Sequence, residues 1–364
     1  MKIIYRYILS ELIQPFLFGV FAFTSIFIGS DVLRRLAGLM MDYGASLWTV
    51  TQLFFLSLPQ IIIFTFPMSM LLATLLAFGR LSGDSEITAL KAGGISFTKL
   101  IIPVLIVAFL VSGVTVWLSD GLVPLSIQVY EDLVWEIRRG EQRPTTQRNL
   151  RIAPVDSSTG RLDFVLVADK FDGATQTLEG VSWQDFEDGE LVTIIQAKEA
   201  VWLEEQWQFI DGKIYRIEND GRVPQTEFER LNMQDKISRD PGDVSRSGTD
   251  PDEMTLGELR THIDQMEEEG RDVSELLIIY HQRYAVPFAS FIFAIVGAPL
   301  GLKPNRSGSS IGLGLSIIVV FIYYVLMTVG SALGQAGTVA PWLGAWLQNI
   351  VFAGVGAWLL AKKH

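Results

Sequence analysis

Charged residues are unevenly spread along this chain; they vanish for long intervals and then return together. No Asp, Glu, Lys or Arg lies between Glu11 and Asp31, Asp42 and Arg80, Lys99 and Asp120, or Arg283 and Lys303, and the gap from Arg306 to Lys362 is 55 residues. A bilayer core takes about 20 apolar residues per helix. The first four gaps therefore hold one span each, and the last holds two, folded back at Gly334-Gln335-Ala336-Gly337. A helix on a soluble core would show charge on its outward face. The pattern predicts six membrane helices, near residues 12–30, 53–79, 100–119, 284–302, 311–333 and 341–361. Pro59 and Pro67 predict a kink in the second. Residues 1–11 read as a short amphipathic helix with Ile3, Ile4, Tyr7 and Ile8 on one side, lying in the interface before the chain turns inward at Gln14-Pro15.

Between the third and fourth spans the period changes. A helical stripe of Ile127, Tyr130, Val134 and Ile137 ends before Gly140. Short β-branched or aromatic runs follow at 164–168, 191–195, 200–203 and 214–217, punctuated by Asp172-Gly173, Asp188-Gly189, Asp211-Gly212 and Asp220-Gly221. Asp-Gly favours the positive-φ turns that close hairpins, so the segment predicts an antiparallel sandwich or barrel-like sheet. Residues 238–252 read as a linker. A helix then opens on Thr255 and Glu258 at capping-box spacing, with Leu256, Leu259, Ile263 and Met266 as its apolar side. The expected organisation is a transmembrane half (1–120), an all-β domain with flanking helices (121–272) and a second transmembrane half (273–364).

Charge orients this arrangement. The chain carries a net −11, but residues 120–283 hold 18 basic and 35 acidic side chains, against 11 basic and 5 acidic elsewhere. Lys2, Arg6, Arg80, Lys91, Lys99, Lys303, Arg306, Lys362 and Lys363 fall on one side, so both termini are expected in the cytoplasm and the acidic domain outside. An acidic soluble part repels phosphate backbones, which argues against nucleic acid as a partner. Lys2 and Arg6 before an apolar run imitate a signal peptide, yet the run is too long and lacks a small-x-small cleavage site, so it reads as a retained span.

The chemistry of catalysis is missing from the motifs. There is no cysteine, the three histidines lie far apart, and neither a phosphate loop nor an HExxH pair occurs. Gly83-Asp84 has no second carboxylate within a span to complete an aspartyl dyad. The expectation is no catalytic residue, no metal site and no cofactor. Ion-coupled transport lacks ionisable groups at the midplane.

Three features invite a functional reading. Segment 81–96, LSGDSEITALKAGGIS, can form a short helix capped by Ser82 or Asp84 and ended by Gly93-Gly94, with Ile87 and Leu90 on one face and Glu86 and Lys91 flanking it. It reads either as a lever for a motor subunit to grip or as a solvated turn. Arg34 and Arg35, at the outer end of the first span, either snorkel or pair with phosphates of an anionic lipid. Gly297-x-x-x-Gly301, Gly308-x-x-x-Gly312 and Gly330-x-x-x-Gly334 allow close helix approach, most simply as packing within one bundle.

SGDSEITALKAGGIS, the run HQRYAVPFASFIFAIVGAPLG from His281, RSGSSIGLGLSI from Arg306, and WQFIDGKIY from Trp207 resemble the LptF/LptG (YjgP/YjgQ) permease family, as does the order of three spans, a large outer domain and three spans. The resemblance implies a six-span inner-membrane subunit with a periplasmic β-jellyroll. It implies pairing with a second LptF/LptG-type half-permease, docking on a cytoplasmic ABC ATPase dimer that supplies hydrolysis, and transfer of lipopolysaccharide to periplasmic LptC/LptA-like jellyroll proteins. By that likeness segment 82–93 is the coupling helix, with Asp84, Glu86, Ile87, Ala89 and Leu90 coupling to the ATPase. Arg34 and Arg35 meet the lipid head group, and spans 1 and 5 form a lateral gate. The alternative is a mechanotransmitting or scaffold ABC membrane subunit that does not itself move lipid.

Overall fold

A computed structural model describes residues 2–140, 146–153, 162–173, 175–187, 189–203, 206–218, 222–233, 250–268, 270–302 and 309–362. Among these, six helices are long and apolar enough to cross a membrane. The first runs through α1 (Lys2–Phe27), a π-helical segment (Ile28–Val32) and α2 (Leu33–Tyr43). The second is α3 (Leu47–Gly83), whose Ser46 cap accepts from the Thr49 amide at 3.2 Å. After the short α4 (Glu86–Ala92), the third runs through α5 (Phe97–Trp117), a second π-helical segment (Leu118–Leu122) and α6 (Val123–Arg139). Strands β1 (Thr146–Ile152), β2 (Phe164–Asp172), β3 (Thr177–Glu187), β4 (Glu190–Leu203), β5 (Gln206–Arg216) and β6 (Gln225–Asn232) follow, then helix α7 (Leu256–Glu268). The last three spans are α8 (Ser274–Gly301), α9 (Ser309–Gln335) and α10 (Pro341–Ala361). The fold class is therefore six apolar helices with an all-β insertion. The chain divides into two compact units, Met1–Glu141 with Ser274–His364, and Gln142–Val273.

Within the helical unit five of the six expected spans fall wholly inside these helices, the fourth overruns its helix by one residue at Leu302, and the first and third helices continue well past the expected spans. The turn expected at Gln14-Pro15 does not form: α1 is one helix with Pro15 inside it. A single proline removes one amide from the ladder, and neighbouring helices hold the rest of the turn together. The helices α3 and α8 form the centre. α3 packs on α1, running antiparallel so that Glu11 meets Arg80 and Phe27 meets Phe64, and on α8. The glycine pairs serve packing inside this bundle. A methyl group at Gly301 would come within 2.9 Å of Phe78 Cβ on α3, and one at Gly330 within 2.3 Å of the Gly344 carbonyl oxygen on α10. Gly308 lies outside the described residues. The tight turn at Gly337 (φ +68°) folds α9 back onto α10 as expected. A polar seam joins the last three spans: the Tyr323 hydroxyl donates to Asn349 Oδ1 at 3.0 Å, and Asn349 Nδ2 donates to the Ala285 carbonyl at 2.7 Å.

Beyond the two π-helical segments, α2, the start of α3 and α6 form a small cap of their own, with Leu36, Leu39, Leu53 and Val134 buried in it. The helix expected before Gly140 is α6, and Gly140 ends it at φ +72°.

The second unit is one antiparallel sheet in chain order β1 to β6. Its apolar face buries Leu166, Phe171, Trp183, Trp207 and Phe209, and Phe164 stacks on Trp183 with ring centroids 3.9 Å apart. Asp172-Gly173 ends β2, and Gly189 (φ +85°) links β3 to β4, both at hairpin ends as expected. Asp211-Gly212 differs: it lies within β5, with Asp211 at φ +52°, and the β4–β5 ladder passes from Ala197↔Gly212 to Glu199↔Ile210 around it. Lys198 pairs with Asp211 at 3.2 Å across this irregularity. Asp-Gly tolerates positive φ wherever the chain needs it, and here the need is a bend inside a strand. Asp188, Asp220-Gly221 and residues 238–249 of the expected linker lie outside the described residues. The capping box is formed: the Thr255 amide and hydroxyl both donate to Glu258 Oε2, at 2.9 and 2.8 Å, and the Glu258 amide donates to Thr255 Oγ1 at 3.3 Å.

Candidate functional site

Two sites of interest lie at opposite ends of α1 and α3. At the first, α3 runs on through Ser82 and Gly83, and Asp84 is its C-cap, its amide donating to the Arg80 carbonyl at 2.9 Å. Neither Ser82 nor Asp84 caps α4. Ser85, left-handed at φ +61°, breaks the two helices apart and makes no side-chain cap. The apolar continuity of α3 carries it past the expected boundary, so the residues read as caps are used in its last turn. The other end follows expectation: α4 stops at Ala92, Gly93 and Gly94 turn the chain, and the Ile95 amide returns to the Leu90 carbonyl at 3.1 Å.

On α4 the apolar pair faces inward. Ile87 is 4% exposed in a cluster with Phe78, Leu81 and Phe97, and Leu90 is half-buried against it. The outward side consists of Thr88, Ala89, Lys91 and Ala92, with Asp84 and Ser85 exposed just before the helix and Glu86 half-exposed at its start. A surface of seven residues seated by one buried isoleucine can present small and charged side chains to a partner while its own apolar side stays occupied. Glu86 is not isolated: the Tyr7 hydroxyl of α1 donates to its Oε1 at 3.0 Å. Arg80 donates to Glu11 Oε2 and lies 3.7 Å from Asp84 Oδ2.

The second site is the start of α2. Arg34 and Arg35 are both exposed there, but they differ. Arg35 Nη2 donates to Asp31 Oδ2 of the π-helical segment, one turn back, and Tyr130 of α6 lies near it. Arg34 has neither an ion-pair nor a hydrogen-bond partner among the described residues. A guanidinium without an internal partner keeps its whole donor fork for an external anion; one already paired to a carboxylate does not.

Asp84, Glu86, Ile87, Ala89 and Leu90 thus lie together at one end and Arg34 with Arg35 at the other. Tyr7, Glu11 and Arg80 escaped the sequence reading. The apolar stripe holding Ile4, Tyr7 and Ile8 was visible, but the reach of the Tyr7 hydroxyl to Glu86 is one that no local pattern reveals.

Known proteins resemble this chain along most of its length. A family model described as lipopolysaccharide export system permease LptF/LptG matches residues 6–362. The lipopolysaccharide export system permease protein LptG of Escherichia coli K12 is 23% identical over 330 residues, covering 88% of this chain and 86% of LptG. LptF of the same strain is 23% identical over 365 residues, covering 96% and 92%. LptF of Shigella flexneri aligns with the same identity and coverage.

Proposed function

This chain belongs to the LptF/LptG family of lipopolysaccharide export permeases, and from that premise we propose that it is one half of an ABC transporter that lifts lipopolysaccharide out of the inner membrane and hands it to a periplasmic bridge. The observation that carries the reading is where the bundle leaves its apolar surface open. Only 11% of the most apolar stretch of the first span and 22% of the fifth are buried within the chain, against 78% of the second and 67% of the fourth. Phe18, Phe21 and Ile26 on α1 and Ile318, Phe321 and Ile322 on α9 are exposed. Each methylene taken from a bilayer into water costs about 0.8 kcal/mol, so a multi-acyl lipid needs an apolar path, and facing rims of two half-permeases supply one. These two spans act as the lateral gate.

In this reading both termini are cytoplasmic and the β unit is periplasmic, as the distribution of basic residues supports. The helix α4 docks on a cytoplasmic ABC ATPase dimer through Asp84, Glu86 and Ala89, while Ile87 and Leu90 fasten it to the bundle. Arg34 meets a head-group phosphate, with Arg35 holding the start of α2 in place. The β unit receives the lipid and passes it to LptC/LptA-like jellyroll proteins. Hydrolysis comes from the ATPase.

The test is reconstitution of the chain with its second half-permease and ATPase in proteoliposomes containing lipopolysaccharide. ATP-dependent release of lipid to a periplasmic acceptor is expected, and Glu86→Ala should lower lipid moved per ATP by about ten-fold. A wild-type assembly that hydrolyses ATP and leaves the lipid in the bilayer would overturn the reading.

A further inference from the structure

We propose that the first turns of α1 are the element through which motion of α4 enters the membrane bundle, with Tyr7 and Glu11 as positioning residues. The proposal rests on α4 being the ATPase-docking helix, and adds how its displacement reaches the gate.

Tyr7, Ile8, Glu11 and Leu12 are spaced i, i+1, i+4 and i+5, which sets them on one face of a helix. That face packs on α3 and α5, and its polar side chains reach the last turn of α3 and the first residue of α4. Ile8 and Leu12 are 1% and 2% exposed, in the same apolar cluster as Ile87, and Ile4 and Leu90 are each packed against that cluster. Elsewhere along α1 only Gly19 and Phe23 are buried among the described side chains, so this is one of two places where the helix is gripped. Two polar contacts flank the apolar one. The Tyr7 hydroxyl holds Glu86, the first residue of α4, and Glu11 holds Arg80, which also lies by Asp84 at the break before α4. The α1 face therefore touches the turn between α3 and α4 on both sides of Ser85.

A seven-residue helix is too short to be stable or fixed in direction by itself. Its orientation comes from what it is packed on, and at its first residue the polar contact comes from Tyr7 of α1. Exposed pairs of this kind add little to stability; their effect is to fix which way Glu86 and α4 point. From Tyr7, α1 continues unbroken to Phe27. At 1.5 Å per residue this is a rod of about 30 Å, the thickness of a bilayer core. A push received at Tyr7 and Glu11 is delivered at the other end, where the π-helical segment leads to Arg34. The gate helix is thus loaded at the break between α3 and α4, through Glu86 on one side and Arg80 in the last turn of α3 on the other.

The experiment uses the complete assembly in proteoliposomes with lipopolysaccharide and reads ATPase recovery, ATP hydrolysis and lipid transferred per ATP. The variants are Tyr7→Phe, Glu11→Arg, Arg80→Glu and the double exchange Glu11→Arg with Arg80→Glu. Each charge reversal should leave recovery and hydrolysis within about two-fold while lowering lipid per ATP about ten-fold, and Tyr7→Phe should lower it about three-fold, within the range of coupling between sites. The double exchange should return at least about half of the lost coupling. The proposal is overturned if single reversals leave lipid per ATP unchanged. It is equally overturned if hydrolysis and transfer fall together with loss of assembly, or if the double exchange restores nothing. A wild-type assembly that binds no ATPase or moves no lipid refutes the functional reading instead, because this inference fails only against a working wild type.

Discussion

The helices α1 and α3 lie side by side, run in opposite directions and are similarly apolar, with mean hydropathies of 1.9 and 2.3 over their most apolar stretches. Yet α3 buries 78% of that stretch inside the chain and α1 only 11%. The difference lies in the neighbours. α3 is enclosed by α1, α8 and α9, while α1 meets α3 and little else over most of its length. Apolarity makes a residue compatible with lipid and with protein alike, so hydropathy cannot separate a helix that holds the bundle from one that borders it. Burial can, and it divides the molecule into a fixed centre and an open rim.

The strongest way to break this contrast is to crowd the centre. Gly301→Leu forces a side chain into Phe78 and the Leu75 carbonyl; overpacking of this kind is expected to cost about 3 kcal/mol and to lower recovery of monodisperse protein from detergent sharply. Phe21→Ala on the rim should leave recovery intact. The two arginines sharpen the contrast at the end of the rim helix. Arg34→Glu should reduce photocrosslinking of lipopolysaccharide about ten-fold, whereas Arg35→Glu should reduce it about two-fold, because only Arg34 has its fork free; equal losses would refute the distinction. Within the bundle, Asn349→Leu removes the bridge from Tyr323 to Ala285 and should lower stability by about 1 kcal/mol, read as a lower Tm in detergent. The smallest effect is expected from Thr255→Ala, about 0.5 to 1 kcal/mol from the lost cap, confined to the β-containing unit and leaving melting of the helical unit unchanged.

The spans were legible because excluding charge from a bilayer writes itself into the sequence over tens of residues. The capping box at Thr255 was legible because it is complete within four residues. Asp211-Gly212 misled because a positive φ is satisfied equally by a turn or by a bent strand, and only the pairing of β5 with β4 decides. The start of α4 misled because α3 consumed its caps. The contact of Tyr7 with Glu86 joins residues 79 apart in sequence, and no spacing within either segment announces it. Arg34 and Arg35 were visible as a pair, but their inequality depends on Asp31 and Tyr130, the second of which arrives from another helix.

The π-helical segment Ile28–Val32 has a consequence for tolerance to shortening. A π turn holds one surplus residue within an otherwise α-helical rod, and this one has no buried residue. Deleting Gly29 should therefore let the turn relax to α geometry while Leu36 and Leu39 keep their aim on Val134. Removing Ala22, in the regular part of the rod, instead rotates all that follows by about 100° and turns those leucines off their partner. One excision would pass unnoticed and its neighbour seven positions away would not, because the first segment carries a spare link.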